Sequence, residues 1–245
     1  MASISLLVLE ELAEEDPLKA AVLIARELQR RTNTASLDAL FPDKGPLRRE
    51  LYTKHIAMFK AGAEHRERIV MGGNRVGKSF SIGGYETALH MTGLYPTWWQ
   101  GHRFEKNILA WAGGTKATKV RDVNQLFLVG KIQQDRTLSG GFIPPHRVQR
   151  FTRKTGIADA IDQLVVKSIH GNVNTLTFKS YEEGRTSFEA EAVDWIWLDE
   201  EPTRPIYDEC KMRLLTTRGH IMSTLTPVEG ITDTIIGMLE ETEYL

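Results

Sequence analysis

Cysteine is nearly missing: Cys210 is the single thiol in 245 residues. One thiol excludes a disulfide framework and a zinc site built on cysteines, and fits a reducing compartment. An excess of either charge is also lacking. Thirty-one Lys and Arg against 32 Asp and Glu leave a formal net charge of −1, so any contact with nucleic acid must come from a local patch rather than bulk charge. No apolar run approaches the roughly 18 residues that a bilayer span needs. The amino terminus, Ile4 to Leu9 followed by Glu10, Glu11, Glu14 and Glu15, lacks the basic flank and longer apolar stretch of a signal peptide. These absences predict a soluble, intracellular protein with no membrane association. Internal repeats, low-complexity tracts and an N-K-x-D tetrad for reading guanine are missing too.

What remains is an ordinary globular composition, 41% hydrophobic and 26% charged, which leaves enough apolar side chains for a packed core. Asp16-Pro17 opens an expected helix over 17–31, with an Asp cap and Pro where its missing N–H costs nothing. Residues 32–48, with Pro42, Gly45 and Pro46, read as a linker. The pattern then alternates. It gives a helix over 49–61, a strand at Ile69-Val70-Met71, a helix over 77–91, a strand at 107–112 and a helix over 115–129. Residues 131–160 give no clear element. A hairpin over 164–179 turns at Gly171-Asn172, and a strand at 193–198, a helix over 204–215, a strand at 220–225 and a helix from about 231 follow. Strands separated by helices predict an α/β fold with a mostly parallel sheet flanked by helices. The expected division is a small N-terminal helical extension over 1–45 and a main domain over 46–245.

Gly72-Gly73-Asn74-Arg75-Val76-Gly77-Lys78-Ser79 matches the phosphate loop G-x-x-x-x-G-K-[ST] at every fixed position. Its glycines let backbone N–H groups curl around a phosphate, and the next helix points its positive end there. Lys78 is expected on the β- and γ-phosphates and the Ser79 hydroxyl on Mg²⁺, so ATP and Mg²⁺ are the implied ligands. Far downstream, the strand 193–198 ends in Asp199-Glu200-Glu201. Asp199 is assigned to the metal and Glu200 to orienting and deprotonating the attacking water. Glu201 is a spare acid that reads equally as a helix-start residue. Asp194 reads as a strand-edge residue, and Trp195 and Trp197 as packing. Ser223-Thr224-Leu225-Thr226-Pro227 closes the strand 220–225, where hydroxyls would lie beside the nucleotide or simply end a strand at Pro. Arg75 and Arg185 are the candidate arginine fingers, and Arg185 also reads as a solvated loop residue. The adjacent acids favour water as the phosphoryl acceptor over a small-molecule kinase substrate.

The strings Met71 to Ser79, Ser180-Tyr-Glu-Glu-Gly-Arg185, Trp195 to Pro202 and Leu225-Thr-Pro227 resemble the ATPase domain of tailed-bacteriophage terminase large subunits, as do Tyr95 to Trp99 and Tyr207 to Arg213. The resemblance runs from about residue 50 to the end. It implies a P-loop NTPase of the additional-strand, catalytic-glutamate type that hydrolyses ATP to drive double-stranded DNA into a procapsid. It makes Gly72 to Ser79 Walker A, Asp199 and Glu200 Walker B, and Ser223, Thr224 and Thr226 the coupling motif. Arg185 resembles an arginine offered to a neighbour's ATP, and Arg75 one acting in its own loop. The implied partners are double-stranded DNA, a portal protein, a small terminase subunit and copies of itself in a ring, a pentamer by the resemblance. The implied location is the host cytoplasm and, transiently, the portal vertex, not the mature virion. Two departures stand out. Where relatives place a Gln to read adenine, this chain has Tyr52-Thr-Lys-His55, leaving Tyr52 and His55 as the candidate base contacts. The family's nuclease domain is not expected within residues 1–245, so DNA cleavage is not expected of this chain. Helicase-like translocation and a nucleotide-gated binding module are the rival functions. For DNA, His146, Arg147, Arg150, Arg153 and Lys154 form one basic cluster and Lys116, Lys119 and Arg121 another; each reads as a phosphate grip or as a solvated face.

Overall fold

The computed structural model describes Asp16 and residues 37–189, 191–228 and 230–240; the helix expected over 17–31 lies outside them. Seven strands form one sheet in the order β1-β7-β6-β2-β5-β4-β3. They are β1 (Glu67–Met71), β2 (Leu109–Gly114), β3 (Val148–Arg153), β4 (Ile161–Lys167), β5 (Val173–Ser180), β6 (Trp195–Asp199) and β7 (His220–Leu225). Pairing is parallel from β1 through β7, β6 and β2 to β5, and antiparallel where β4 and β3 are added. The sheet is thus mostly parallel, and the turn of the β4–β5 hairpin falls at Gly171-Asn172 as the β-rich runs on either side predict.

Parallel pairing places the carboxyl ends of β1, β7, β6, β2 and β5 along one edge of the sheet. The residues that follow each strand therefore gather there, in the crevice where open α/β sheets bind ligands. Residues 72–77, 226–228, Glu200 and Tyr181 arrive at that edge from four different strands.

Alternation along the strands feeds two cores. Trp195, Trp197 and Met222 pack with Ile82, Leu89 and Phe142 on one face. Ile196, Leu198, Ile221 and Leu225 pack with Tyr207, Cys210, Ile235 and Met238 on the other. The helices involved are α1 (Thr53–Ala61), α2 (Tyr85–Thr92), α5 (Arg204–Leu214) and α6 (Asp233–Glu240), with the short α3 (Ala117–Val120) and α4 (Leu126–Val129) joined by a π-helical turn. Trp195 and Trp197 are fully buried; truncating either to alanine would cost about 3–5 kcal/mol.

Three expectations need correction. The helix expected over 77–91 begins as a π-helix, Lys78–Gly84, before continuing as α2. Of the expected linker 32–48, the described part, residues 37–48, is packed rather than free: Leu37 and Phe41 are buried in the first core, and Phe41 meets Tyr52, His55, Phe59, Tyr85 and Trp98 edge-on or tilted. The region 131–160, without a clear element in the sequence, contains β3. This strand sits at the sheet edge and its pairing with β4 shifts register twice, so it lacks the alternation that betrays a half-buried strand.

Candidate active site

The phosphate loop leaves β1 at Met71 and enters the helical run at Lys78. Gly77 sits at φ 87°, and a Cβ there would stand 2.5 Å from the Ser81 hydroxyl; both facts require glycine. That hydroxyl donates to the Gly77 carbonyl at 2.7 Å and meets His55 Nε2 at 3.1 Å. His55 therefore braces the helical turn behind the loop, and burial lowers its pKa. Tyr52 lies beside it, its ring edge-on to His55 and to Phe41.

Lys78 is buried, and its ammonium donates to the Gly72 carbonyl at 3.0 Å, the Gly73 carbonyl at 2.8 Å and Thr226 Oγ1 at 2.8 Å. Thr226 in turn donates its hydroxyl to Asn74 Oδ1 at 3.2 Å, and its backbone N–H donates to Glu200 Oε2 at 3.3 Å. One threonine thus touches both the lysine of the loop and the carboxylate after β6. On the other side, the Ser79 hydroxyl donates to Asp199. Thr224 Oγ1 donates to Asp199 Oδ1 at 2.8 Å and accepts from the Trp197 indole at 2.8 Å. Burial raises the Asp199 pKa to about 6; the bonds from Ser79 and Thr224 and the Lys78 charge oppose the rise, while Glu200 adds to it.

The turn carrying these acids is held from β5. Tyr181 Oη lies 3.1 Å from the Asp199 carbonyl and 3.2 Å from that of Glu200. Burial pushes its own pKa upward, keeping the phenol neutral and able to donate. Glu200 occupies the left-handed region at φ 62°, and so does Arg75 in the loop at φ 65°. A non-glycine residue there costs on the order of 1–2 kcal/mol, and such outliers concentrate at functional sites.

The remaining expected residues fall as follows. Gly72, Gly73, Asn74, Val76 and Gly77 form the loop with Arg75, which is exposed and makes no hydrogen bond or ion pair with the described residues. Ser223 pairs in register with Leu198 and Ile69, one position out of phase with Thr224, so its side chain points to the opposite face; its buried hydroxyl has no partner among the described residues. Arg185 is engaged away from the loop, with Glu209 at 2.9 Å and Glu189 at 3.3 Å. Glu201 accepts from the Thr232 hydroxyl rather than joining the site. Asp194 lies at the opposite end of β6, bonded to Lys106 at 2.5 Å and the Leu109 N–H at 2.9 Å.

Sequence reading missed Tyr181 and the polar role of Trp197. Both act by contacts between strands that are far apart in the chain, so local pattern carries no sign of them.

Residues 69–244 match the family model described as the N-terminal part of the T4-like-virus-type terminase large subunit. The chain belongs to the terminase large subunit family. It is 28% identical over 250 residues to the terminase large subunit of Salmonella phage P22, covering 95% of this chain and 48% of that one; it spans about half the length of this relative. The large terminase of a thermophilic bacteriophage matches in structure with a TM-score of 0.52 at 12% identity, over 77% of this chain and 42% of that one. At that identity the likeness speaks for fold alone: a mixed, mostly parallel sheet flanked by helices, the P-loop NTPase architecture.

Proposed function

We propose that this domain binds ATP with Mg²⁺ at the edge shared by β1, β6 and β7, hydrolyses it, and so powers packaging of double-stranded DNA. One observation carries the proposal: Lys78 and Glu200, far apart in sequence, meet on the same residue, Thr226. The donor set also suits the cation. Ser79 and Asp199 offer one hydroxyl and one carboxylate in mutual contact, and among the described residues no cluster of three or more His, Cys, Asp or Glu forms a cage. Mg²⁺ is usually held this way, through one or two protein oxygens plus phosphates. Held there by Ser79 and Asp199, it would supply positive charge that offsets the charge of the phosphates.

The chain's residues have separable tasks. Residues 72–77 wrap the phosphates with backbone N–H groups, and Lys78 exchanges a carbonyl acceptor for a phosphate oxygen. Ser79 and Asp199 hold the cation. Glu200 orients a water and takes its proton as the bond to the γ-phosphorus forms and the bond to the ADP oxygen breaks. Thr226, touching both Lys78 and Glu200, is placed to sense loss of the γ-phosphate. Arg185 could serve a neighbouring copy, because buried Glu209 keeps a second partner, Arg213 at 2.6 Å, when Arg185 leaves. Arg75 is free to act within its own loop. His55 and Tyr52 shape the base side of the loop.

The motor reading extends to a ring of copies on a portal protein, a small terminase subunit and double-stranded DNA. Arg150 and Arg153 are exposed on β3, six strand steps from β1 and so roughly 30 Å away at about 4.8 Å per step. They are the proposed phosphate contacts. Residues 46–245 are the proposed motor unit, with residues 1–45 as its extension.

Phosphate release measured across protein concentrations tests the enzyme reading. Lys78→Ala should abolish turnover. Glu200→Gln should keep ATP binding and lose about 10²- to 10⁴-fold in rate; near-normal turnover would overturn the assignment. Mixing Arg185→Ala with Glu200→Gln subunits should restore activity if the arginine acts across copies. No rescue under assembling conditions would favour Arg75.

A further inference from the structure

The two tryptophans of β6 lie on the same face, both fully buried, and each spends its single indole N–H on a threonine hydroxyl. Trp195 donates to Thr87 Oγ1 at 2.9 Å, at the amino end of the strand. Trp197 donates to Thr224 Oγ1 at 2.8 Å, and Thr224 is the register partner of the candidate metal carboxylate, Asp199. The chemistry of the second contact is directional. Indole is a donor only, so Thr224 must accept there and has its own proton left to give. Its two available acceptors are Asp199 Oδ1 at 2.8 Å and the Leu198 carbonyl at 3.4 Å. With the indole fixed on one side of the oxygen, the hydroxyl proton goes to the carboxylate.

Trp197 is fixed by packing. A Cβ on Gly83 would stand 2.2 Å from its Nε1, so the π-helical segment that starts at Lys78 lays bare backbone against the indole. The ring is thus held between the helix that follows the phosphate loop and Thr224 on β7. Thr224 is buried, so bulk water has no easy path to replace a missing indole donor.

We infer that Trp197 is a positioning residue for the divalent cation, acting through Thr224 to fix the orientation of the Asp199 carboxylate. This rests on the proposed Mg²⁺–ATP site. The groups facing Asp199 are Ser79 and Lys78 from the loop, Thr224 from β7, and Glu200 beside it. Trp197 touches Asp199 only through Thr224. Partners of this kind orient metal ligands, and their loss typically costs 10- to 100-fold in metal affinity.

The test uses Mn²⁺ as the probe, with free Mn²⁺ read by electron paramagnetic resonance in the presence of a non-hydrolysable ATP analogue. The variants are Trp197→Phe, Thr224→Val and Thr224→Ser, with Trp195→Phe as matched control. Trp195→Phe makes the same substitution on the same strand and face, away from the metal. Thermal midpoints are recorded for all. The inference expects Trp197→Phe and Thr224→Val to weaken Mn²⁺ binding by about 10-fold or more, with Thr224→Ser near wild type. Trp195→Phe should cost stability and leave Mn²⁺ affinity unchanged. Equal Mn²⁺ affinity in Trp197→Phe and Trp195→Phe would overturn the positioning role. If Trp197→Phe does not fold, Thr224→Val against Thr224→Ser decides the relay by the same reading. A wild-type chain that binds no Mn²⁺ with the analogue would instead sink the nucleotide site, and this inference with it.

Discussion

The strands β1, β6 and β7 carry a buried charged cluster at each end, and the two are wired differently. At the amino end, Arg68 and Glu86 form a two-point ion pair at 2.7 and 3.1 Å, both buried. The Met58 carbonyl accepts a second bond from Arg68 Nη1 and His90 Nε2 meets Glu86 Oε1 at 3.3 Å, while Arg68 Nε is buried without a partner among the described residues. The rings of His90, His102, His220, Phe104 and Trp195 pack against one another beside the pair. At the carboxyl end, Lys78 bonds to carbonyls and a threonine, Asp199 to hydroxyls and Glu200 to an amide. Opposite charges there are neighbours without being paired. A closed pair fixes a fold. Charges held by weaker, exchangeable acceptors and donors stay available to a ligand that brings charge of its own.

The sharpest way to break this comparison is to remove one member from each end. Glu86→Ala leaves Arg68 buried and uncompensated, so denaturant unfolding should report a loss of about 3–5 kcal/mol. Lys78→Ala loses hydrogen bonds from a charged donor but strands no closed partner, and should cost at most about 2 kcal/mol while ending turnover. Equal stability losses would erase the distinction.

Acidification should separate the ends by sign. Burial, followed by neighbouring positive charge, lowers the pKa of His102 to about 4 and of His220 to about 3. Their stability contribution is full above the ordinary histidine value of 6.5 and is lost as pH falls below it. Asp199, raised to about 6 by burial, works the other way: its contribution is lost as pH rises through 6. From about pH 7.5 to 5 the thermal midpoint of wild type should therefore fall, and that of Asp199→Asn should fall more steeply. A steepening of roughly 2–4 °C corresponds to about 1 kcal/mol in a domain of this size. Identical slopes would show that Asp199 does not titrate in this window.

Smaller effects probe local geometry. Arg75→Gly relieves the left-handed backbone at φ 65° and should stabilise by up to about 1 kcal/mol, read as a rise in melting temperature. Ser223→Ala removes a buried hydroxyl that bonds to nothing described and should leave stability unchanged or improved by about 1 kcal/mol. Its neighbour carries the polar contacts, so a larger loss in Ser223→Ala would mean the face assignment is wrong.

That pair of neighbours also marks how far sequence goes. Ser223 and Thr224 read alike as hydroxyls at a strand end, yet the two-residue period of a strand sends them to opposite faces. The apolar runs of β6 and β7 were legible because they are buried on both sides, and the phosphate loop because its constraints are local. β3 was not: an edge strand with exposed Arg150 and Arg153 and only partial burial at Val148 and Phe151 resembles a polar loop. Tyr181 falls within a string that drew attention to Arg185, whereas the structure gives the tyrosine the contact with the Asp199-Glu200 turn. His55 read as a base contact, and its hydrogen bond goes to Ser81 behind the loop.

The most direct test is a crystal structure of Glu200→Gln with ATP and Mg²⁺. The account predicts a cation about 2.0–2.1 Å from Ser79 Oγ and the phosphate oxygens, with Asp199 in or beside its shell. It also predicts the Lys78 ammonium moved from a glycine carbonyl onto a phosphate. Density for the triphosphate away from residues 72–79, or an Asp199 carboxylate turned from the cation, would contradict it.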